Sequence, residues 1–172
     1  SIAVASPGEI MKYSGVGEAV ARKIINTARN EMDMGFETGE DLLKKRDQVY
    51  KLTTGSNNFD VLVGGGFEYG RITECYGPYG YGKTALAHQL AVNTQLPRDK
   101  GGADGVVVWI DTEGTLRPER VHDIAEKAGL DPKKVLKNIR AVRAFNSDHQ
   151  MLLAEKVEDL IKKEELPVKL VI

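Results

Sequence analysis

The chain has little sulfur and no excess of one charge. Its 172 residues include one cysteine, Cys75, so no disulfide framework exists within it. The 24 Lys and Arg residues nearly balance the 25 Asp and Glu residues, and the formal net charge is −1. This balance excludes a surface that is polycationic throughout, although it permits a local basic face for nucleic acid. The sequence also has no His and Cys cluster with the spacing of a metal site.

Long apolar runs are missing as well. No run approaches the roughly 18 to 20 residues that a bilayer-spanning helix needs. The first residues also lack the basic and then apolar pattern of a signal sequence. These absences predict a cytoplasmic protein with no membrane partner. The hydrophobic fraction of 41% is ordinary for a globular protein, so composition alone points to no partner.

The most informative feature present is a phosphate-binding loop. Residues 77–84 read Gly-Pro-Tyr-Gly-Tyr-Gly-Lys-Thr and complete the pattern G-x-x-x-x-G-K-[ST]. In such a loop the glycines let backbone N–H groups turn inward around phosphates, the lysine reaches the β- and γ-phosphates, and the threonine hydroxyl ligates Mg²⁺. The sequence therefore predicts a bound nucleoside triphosphate with Mg²⁺. The predicted binding residues are Gly77, Pro78, Tyr79, Gly80, Tyr81, Gly82, Lys83 and Thr84.

The segments around the loop fit this prediction. Residues 71–76 form a short β-prone run, and residues 83–96 repeat apolar side chains at helical spacing. Strand, loop and helix is the order that this phosphate site requires, and the helix N-terminus adds its own N–H donors. Because Cys75 lies in the predicted strand, we expect a buried and chemically inert packing role for it.

Strands and helices alternate through the rest of the chain. Apolar runs predict strands at 106–110, 139–145 and 168–172, and helix-start signals appear at Pro118 and Ser147. This alternation predicts an α/β fold with a parallel sheet and right-handed crossovers.

Acidic residues follow the strand predicted at 106–110. Ligands of parallel sheets lie at the carboxyl ends of the strands, so Glu113 is our candidate for orienting or deprotonating an attacking water. Asp111 has two possible roles: it assists Mg²⁺ through water or it caps the following turn. Arg117 and Arg120 lie near the next helix start and contact nucleotide, a partner or only solvent.

The first 32 residues have a different pattern. A capping box at Ser6 and Glu9 starts a helix, the residues Gly15-Val16-Gly17 make a tight turn, and a second helix follows. This arrangement resembles a helix-hairpin-helix motif, in which the amides of Gly15 and Gly17 would meet a DNA phosphate. The alternative is an αα-hairpin whose glycines only turn the chain. We assign residues 1–32 to this partial domain, 33–52 to a polar linker containing Phe36, and 53–172 to the main domain.

Several motifs in the same order resemble those of the archaeal RadA branch of the RecA-like strand-exchange recombinases and its eukaryotic relatives. They occupy residues 52–56, 64–66, 72–74, 77–84, 109–115, 117–120 and 143–150. The resemblance implies a RecA-like ATPase core preceded by a partial helix-hairpin-helix domain. It also implies a DNA-dependent ATPase for DNA repair, which forms a homo-oligomeric filament on single-stranded DNA with ATP and Mg²⁺ and exchanges strands with double-stranded DNA.

The resemblance also implies individual roles. Glu113 matches the catalytic carboxylate, and Arg120 matches a residue that packs on the adenine ring. Phe36 matches the aromatic residue of an oligomerisation motif that inserts into a pocket of the adjacent protomer, partly lined by residues 139–145.

Some positions depart from the family pattern. Tyr81 replaces a small residue, Ala85 a glutamine, Gly39 an alanine and Leu116 an aromatic residue. We expect a further acidic Mg²⁺ residue and the DNA-binding loops beyond Ile172, in a chain truncated at both ends, so the fragment alone is expected to be inactive. The alternative function is a non-catalytic paralogue or assembly factor that binds nucleotide and caps or regulates filaments, which Tyr81 favours and Glu113 disfavours.

Overall fold

The chain folds into two compact units. A computed structural model describes residues 2–31 and 37–172. Backbone contacts divide the chain after Gln48, into residues 1–48 and 49–172. Within the described ranges, none of the helices combines the length and the apolar character that a bilayer crossing requires.

The first unit is helical. A 3₁₀ turn at Ile2–Val4 is followed by helices α1 (Pro7–Ser14), α2 (Glu18–Glu31) and α3 (Gly39–Asp47). The predicted capping box is confirmed, because the Ser6 side chain accepts the N–H of Glu9 and the Glu9 carboxylate accepts the N–H of Ser6. The buried side chains of this unit are Ala3, Ala21 and Ile25.

The turn between α1 and α2 is built on glycine. Gly15 has φ +69° and donates its N–H to the Met11 carbonyl oxygen at 2.9 Å, which ends α1. The Gly17 carbonyl oxygen accepts the N–H of Ala21 at 3.0 Å, at the start of α2. The helix, Gly-Val-Gly turn and helix are therefore present, whereas their assignment to a helix-hairpin-helix domain stays a prediction.

The second unit begins with a small antiparallel pair that the sequence reasoning missed. Strand β1 (Lys51–Leu52) pairs with β2 (Phe67–Glu68), and helix α4 (Asn57–Leu62) lies between them in the chain. Gly66 has φ +118°, and a Cβ there would lie 2.4 Å from the Leu52 carbonyl oxygen. The close pairing therefore requires glycine at this position.

The main sheet is parallel, as predicted. Its strands are β3 (Val106–Asp111), β4 (Ile139–Arg143) and β5 (Val168–Val171), in the order β4-β3-β5. Strand β3 is thus central, and its first four residues are buried. This burial explains the near-continuous apolar run in the sequence.

Four helices cover this sheet and one another. They are α5 (Lys83–Asn93), α6 (Pro118–Lys127), α7 (Pro132–Lys137) and α8 (Ser147–Lys162). Ala91 of α5 packs with Val107 and Trp109 of β3. Val92, on the adjacent side of α5, forms a second cluster with α6 and α7 that includes Val121. Helix α8 also contacts β3 and buries Leu153 and Val157.

The predicted strand at 71–76 is wrong in this structure. These residues join neither described sheet, and Ile72 and Tyr76 are fully or almost fully exposed. Cys75 is also exposed, so its predicted burial is wrong as well. The physical reason is that β-prone side chains form a strand only where a neighbouring strand supplies hydrogen-bond partners and a packing surface.

The core cluster around α6 gives a stability test. Val121 has no exposed surface, whereas Val61 in α4 is 80% exposed. We expect Val121→Ala to lower the free energy of unfolding by about 2 kcal/mol, because it removes buried methyl groups and leaves a cavity. Val61→Ala, the matched helical control, should change it by less than about 0.5 kcal/mol. Urea unfolding followed by circular dichroism measures both, and equal losses would contradict the assigned core.

Candidate nucleotide-binding site

The loop at 77–82 has the backbone that an anion cradle needs. Gly80 and Gly82 have φ of +81° and +88°, in the left-handed region that favours glycine. A Cβ built on Gly77, Gly80 or Gly82 would meet no atom within 4 Å, so open space lies beside the loop backbone. Left-handed residues in a short loop of this kind direct backbone N–H groups toward a bound anion.

The Lys83 side chain lies against its own loop. Its Nζ donates to the carbonyl oxygens of Gly77 and Pro78, at 2.8 and 2.9 Å. A lysine ammonium has three N–H donors, so one remains for a phosphate oxygen while two hold the loop closed around the charge. The lysine therefore organises the loop from which it would bind phosphate.

Helix α5 begins directly at the loop. Its N-cap is Gly82, which has no side chain to occupy the first N–H groups of the helix. These donors and the positive end of the helix dipole are thus available to an anion. Thr84 is the second residue of this helix, and its hydroxyl is a hard oxygen donor of the kind that Mg²⁺ prefers. The donor set fits a magnesium nucleoside triphosphate.

A cavity of about 800 Å³ joins the loop to the carboxyl end of β3. Its volume lies within the range of small-molecule sites. Its lining includes, from the loop and α5, Tyr79, Gly80, Tyr81, Gly82, Lys83 and Thr84, and, from the end of β3 onward, Asp111, Thr112, Glu113 and Arg117. Of the predicted nucleotide-binding residues in the described part of the chain, Gly77, Pro78 and Arg120 do not line it. The fold therefore brings Glu113 and the phosphate loop to one cavity.

The tyrosines of the loop are exposed to solvent and line the cavity. Tyr79 is fully exposed, and Tyr81 is 78% exposed although it lines the cavity. The Tyr81 ring and the Lys83 side chain, whose ammonium donates to two loop carbonyl oxygens, therefore border the same cavity.

Asp111 caps the turn that follows β3. Its two carboxylate oxygens accept N–H groups from four consecutive residues, 113–116, at 3.2, 2.7, 3.1 and 3.1 Å. The Arg143 guanidinium lies 3.9 Å from the same carboxylate. Burial alone raises the pKa of Asp111, but the four N–H donors outweigh it and hold that pKa below its usual value of 3.8. The sequence allows two roles for Asp111, and the structure shows that it caps the turn after β3.

Glu113 is held through its backbone and free at its side chain. Its N–H donates to Asp111, while the residue as a whole is exposed and lines the cavity. An exposed carboxylate beside a phosphate cradle is placed to accept a proton from water. Arg120 lies in the first turn of α6 and is exposed, and Phe36 lies outside the described residues.

One residue of this region escaped the sequence reasoning. His88 lies in α5, is 1% exposed, and packs its ring 4.8 Å from the Trp109 ring. The available signal was a histidine one helical turn after Thr84 in an otherwise small and apolar stretch. That pattern does not distinguish a buried histidine from an exposed one.

Comparisons with known proteins identify related sequences. The family model described as Rad51 matches residues 45–172. The chain is 45% identical, over all of its 172 residues, to the "DNA repair and recombination protein RadA" of Metallosphaera sedula. The match covers 53% of that relative, so the chain spans about half the length of the curated protein that it matches.

The Asp111 cap gives a pH-dependent prediction. A carboxyl group whose pKa is lowered by folding stabilises the folded state above its ordinary range, and this stabilisation is lost as the pH falls through the folded-state pKa. Asp111→Asn should therefore lower the free energy of unfolding by about 2 kcal/mol at pH 7, since its amide is a weaker and less complete acceptor.

The difference between wild type and Asp111→Asn should begin to shrink as the pH falls below the ordinary carboxyl pKa of 3.8, and should keep shrinking until the pH reaches the lower folded-state pKa of Asp111. Urea unfolding at pH 7, 5, 4 and 3 measures it. The other carboxylates are present in both proteins, so their titration cancels. A difference that stays constant over this range would contradict the charged cap.

Proposed function

Because this chain belongs to the Rad51 family, we propose that it is the nucleotide-binding part of a DNA-dependent ATPase for DNA repair and homologous recombination. The protein assembles as a filament on single-stranded DNA and pairs that strand with double-stranded DNA. The observation that carries the proposal is the meeting of the phosphate loop and Glu113 at one cavity. The printed description of the relative, a DNA repair and recombination protein, supports the choice of process.

The phosphate loop, Thr84 and Glu113 each have a definite task in this proposal. Bound Mg²⁺-ATP supplies the γ-phosphoryl group and the metal charge. The loop N–H groups and the Lys83 ammonium bind the phosphates, and the Thr84 hydroxyl ligates the metal. The Glu113 carboxylate orients the attacking water and accepts its proton. Arg120 does not line the cavity, and its proposed task, to pack on the adenine ring, rests on the family resemblance.

A non-catalytic nucleotide-binding regulator is the weaker candidate. It would need the phosphate cradle, but it would have no chemical use for a carboxylate at the cavity. Glu113 lines the cavity and is exposed. Tyr81, the feature that favours the regulator, is exposed and also lines the cavity.

Two further contacts belong to the proposal. Phe36 anchors one protomer on the next by docking beside β4. In the described sheet β4 is an edge strand that pairs with β3 alone, so its other edge is the place where a further strand would add. The amides around Gly15 and Gly17 contact the DNA backbone, which requires donors but no base recognition.

Variants of Lys83 and Glu113 distinguish the binding of Mg²⁺-ATP from its hydrolysis. In the full-length protein that contains this chain, we expect Lys83→Ala to weaken Mg²⁺-ATP binding and to abolish ATP hydrolysis stimulated by single-stranded DNA. Glu113→Gln should bind Mg²⁺-ATP with near wild-type affinity but hydrolyse it about 10² to 10⁴ times more slowly, because it lacks the proton acceptor. A fluorescent nucleotide analogue and a phosphate-release assay measure the two properties.

Matched controls come from exposed positions outside the cavity. Lys134→Ala in α7 and Glu155→Gln in α8 remove the same side-chain charges and should leave both properties unchanged. Wild-type hydrolysis rates in Glu113→Gln would refute its role. Nucleotide binding without hydrolysis in the wild-type protein, with and without single-stranded DNA, would favour the regulator.

The Phe36 anchor has a separate test. We expect Phe36→Ala in the full-length protein to weaken self-association by about 30-fold or more, since a buried aromatic anchor typically contributes about 2 kcal/mol or more. Light scattering after size-exclusion chromatography measures the assembly. Tyr13→Ala removes a ring that is 84% exposed and serves as the control. An unchanged assembly size in Phe36→Ala would exclude the anchor role.

A further inference from the structure

His88 connects the two functional loops of the cavity. Its Nδ1 lies 2.6 Å from the carbonyl oxygen of Thr84, one turn earlier in α5. Its Nε2 accepts the backbone N–H of Arg117 at 2.9 Å, from the residue that precedes α6. Both ring nitrogens are thus used, and the ring is 1% exposed.

These partners define the protonation of the ring. Nε2 accepts an N–H, so it carries no proton. The Thr84 carbonyl oxygen has only lone pairs, so Nδ1 must carry the proton and donate it there. The ring is therefore neutral and in the Nδ1–H tautomer.

His88 completes a series of N–H acceptors along the Glu113 loop. Asp111 accepts the N–H groups of residues 113–116, and His88 accepts the next one, that of Arg117. Five consecutive backbone donors are thereby satisfied by two side chains. One acceptor comes from β3, and the other comes from the helix that carries Thr84.

These hydrogen bonds fix both ends of the loop that carries Glu113. The loop that presents Glu113 is tied at its start to the sheet and at its end to the phosphate-binding helix. Without the bond to His88, the connection between the end of the loop and α5 in the described structure would be apolar packing, in which Leu116 lies against clusters that contain Ala91 and Val92.

We propose that His88 is a positioning residue: it fixes the loop that carries Glu113 relative to Thr84, and so sets the distance between the water-activating carboxylate and the metal-binding hydroxyl. This inference rests on the proposed ATPase function. An error of about 1 Å in such a distance can reduce a rate about 100-fold without loss of binding. His88 itself touches no reacting atom in this assignment.

The alternative is that His88 only fills the core beside Trp109. Ring packing alone would be satisfied by phenylalanine, which has a similar shape and no polar atoms. It does not require that Nε2 meet the N–H of Arg117. Variants that change the ring shape and the hydrogen-bond acceptor independently therefore distinguish a positioning role from a packing role.

Three variants of the full-length protein make this separation. His88→Phe keeps the ring and loses both bonds. His88→Gln places an amide oxygen near the former Nε2 and keeps an acceptor for Arg117. His88→Asn places its amide near the former Nδ1 and keeps only the contact with Thr84, so the last two are matched amides that differ by one methylene.

We expect His88→Gln to retain kcat for DNA-stimulated ATP hydrolysis within about threefold. His88→Asn and His88→Phe should lose about tenfold or more in kcat, because a displaced loop misplaces the Glu113 carboxylate. KM for ATP should change by less than about threefold in all three, because none of them changes a side chain or backbone N–H that would bind phosphate or metal. Equal kcat in His88→Gln and His88→Asn would overturn the positioning role.

Amide hydrogen exchange gives a second measurement that does not depend on ATPase activity. Amide hydrogen exchange at residues 113–117 should be about tenfold faster in His88→Asn than in His88→Gln, while exchange in β3 stays the same in both. Unchanged exchange at 113–117 would refute the proposal even if the wild-type protein hydrolysed no ATP. An inactive wild type whose exchange responds as expected would instead refute the proposed function and leave the loop tether supported.

Discussion

The packing of α5 against β3 is the constraint on which the site depends. Ala87 and Ala91 of the helix belong to one apolar cluster with Val107 and Trp109 of the strand. The first turn of this helix is the phosphate-binding end, and the last residue of the strand is Asp111. Because strand and helix are held side by side, the anion cradle and the acidic loop meet at one cavity.

The two loops of this cavity use backbone N–H groups in opposite ways. In the loop at 113–117, the side chains of Asp111 and His88 accept every N–H, and the loop is therefore held by the protein itself. In the loop at 77–82, glycine dihedrals and a glycine N-cap leave donors for an external anion. A rigid carboxylate loop beside an open phosphate cradle suits phosphoryl transfer, where catalysis is mostly positioning and electrostatic stabilisation.

The division of the chain agrees with the extent of the family match. The Rad51 match begins at residue 45, near the start of the second unit at Val49. That unit contains the sheet, the phosphate loop and the acidic loop. The first unit contains the helical hairpin around Gly15, for which a DNA-backbone role stays a prediction.

The sequence by itself determined the features that depend on local chemistry. The phosphate loop, the capping box at Ser6 and the apolar run that became β3 were predictable, because glycine spacing, capping and burial periodicity act over a few residues. Only the tertiary structure decided the rest. Residues 71–76 have β propensity but no partner strand among those described, and His88 acquires its role only through Arg117, 29 residues later. Strand pairing and side-chain burial depend on neighbours that are distant in sequence, and no local pattern specifies them.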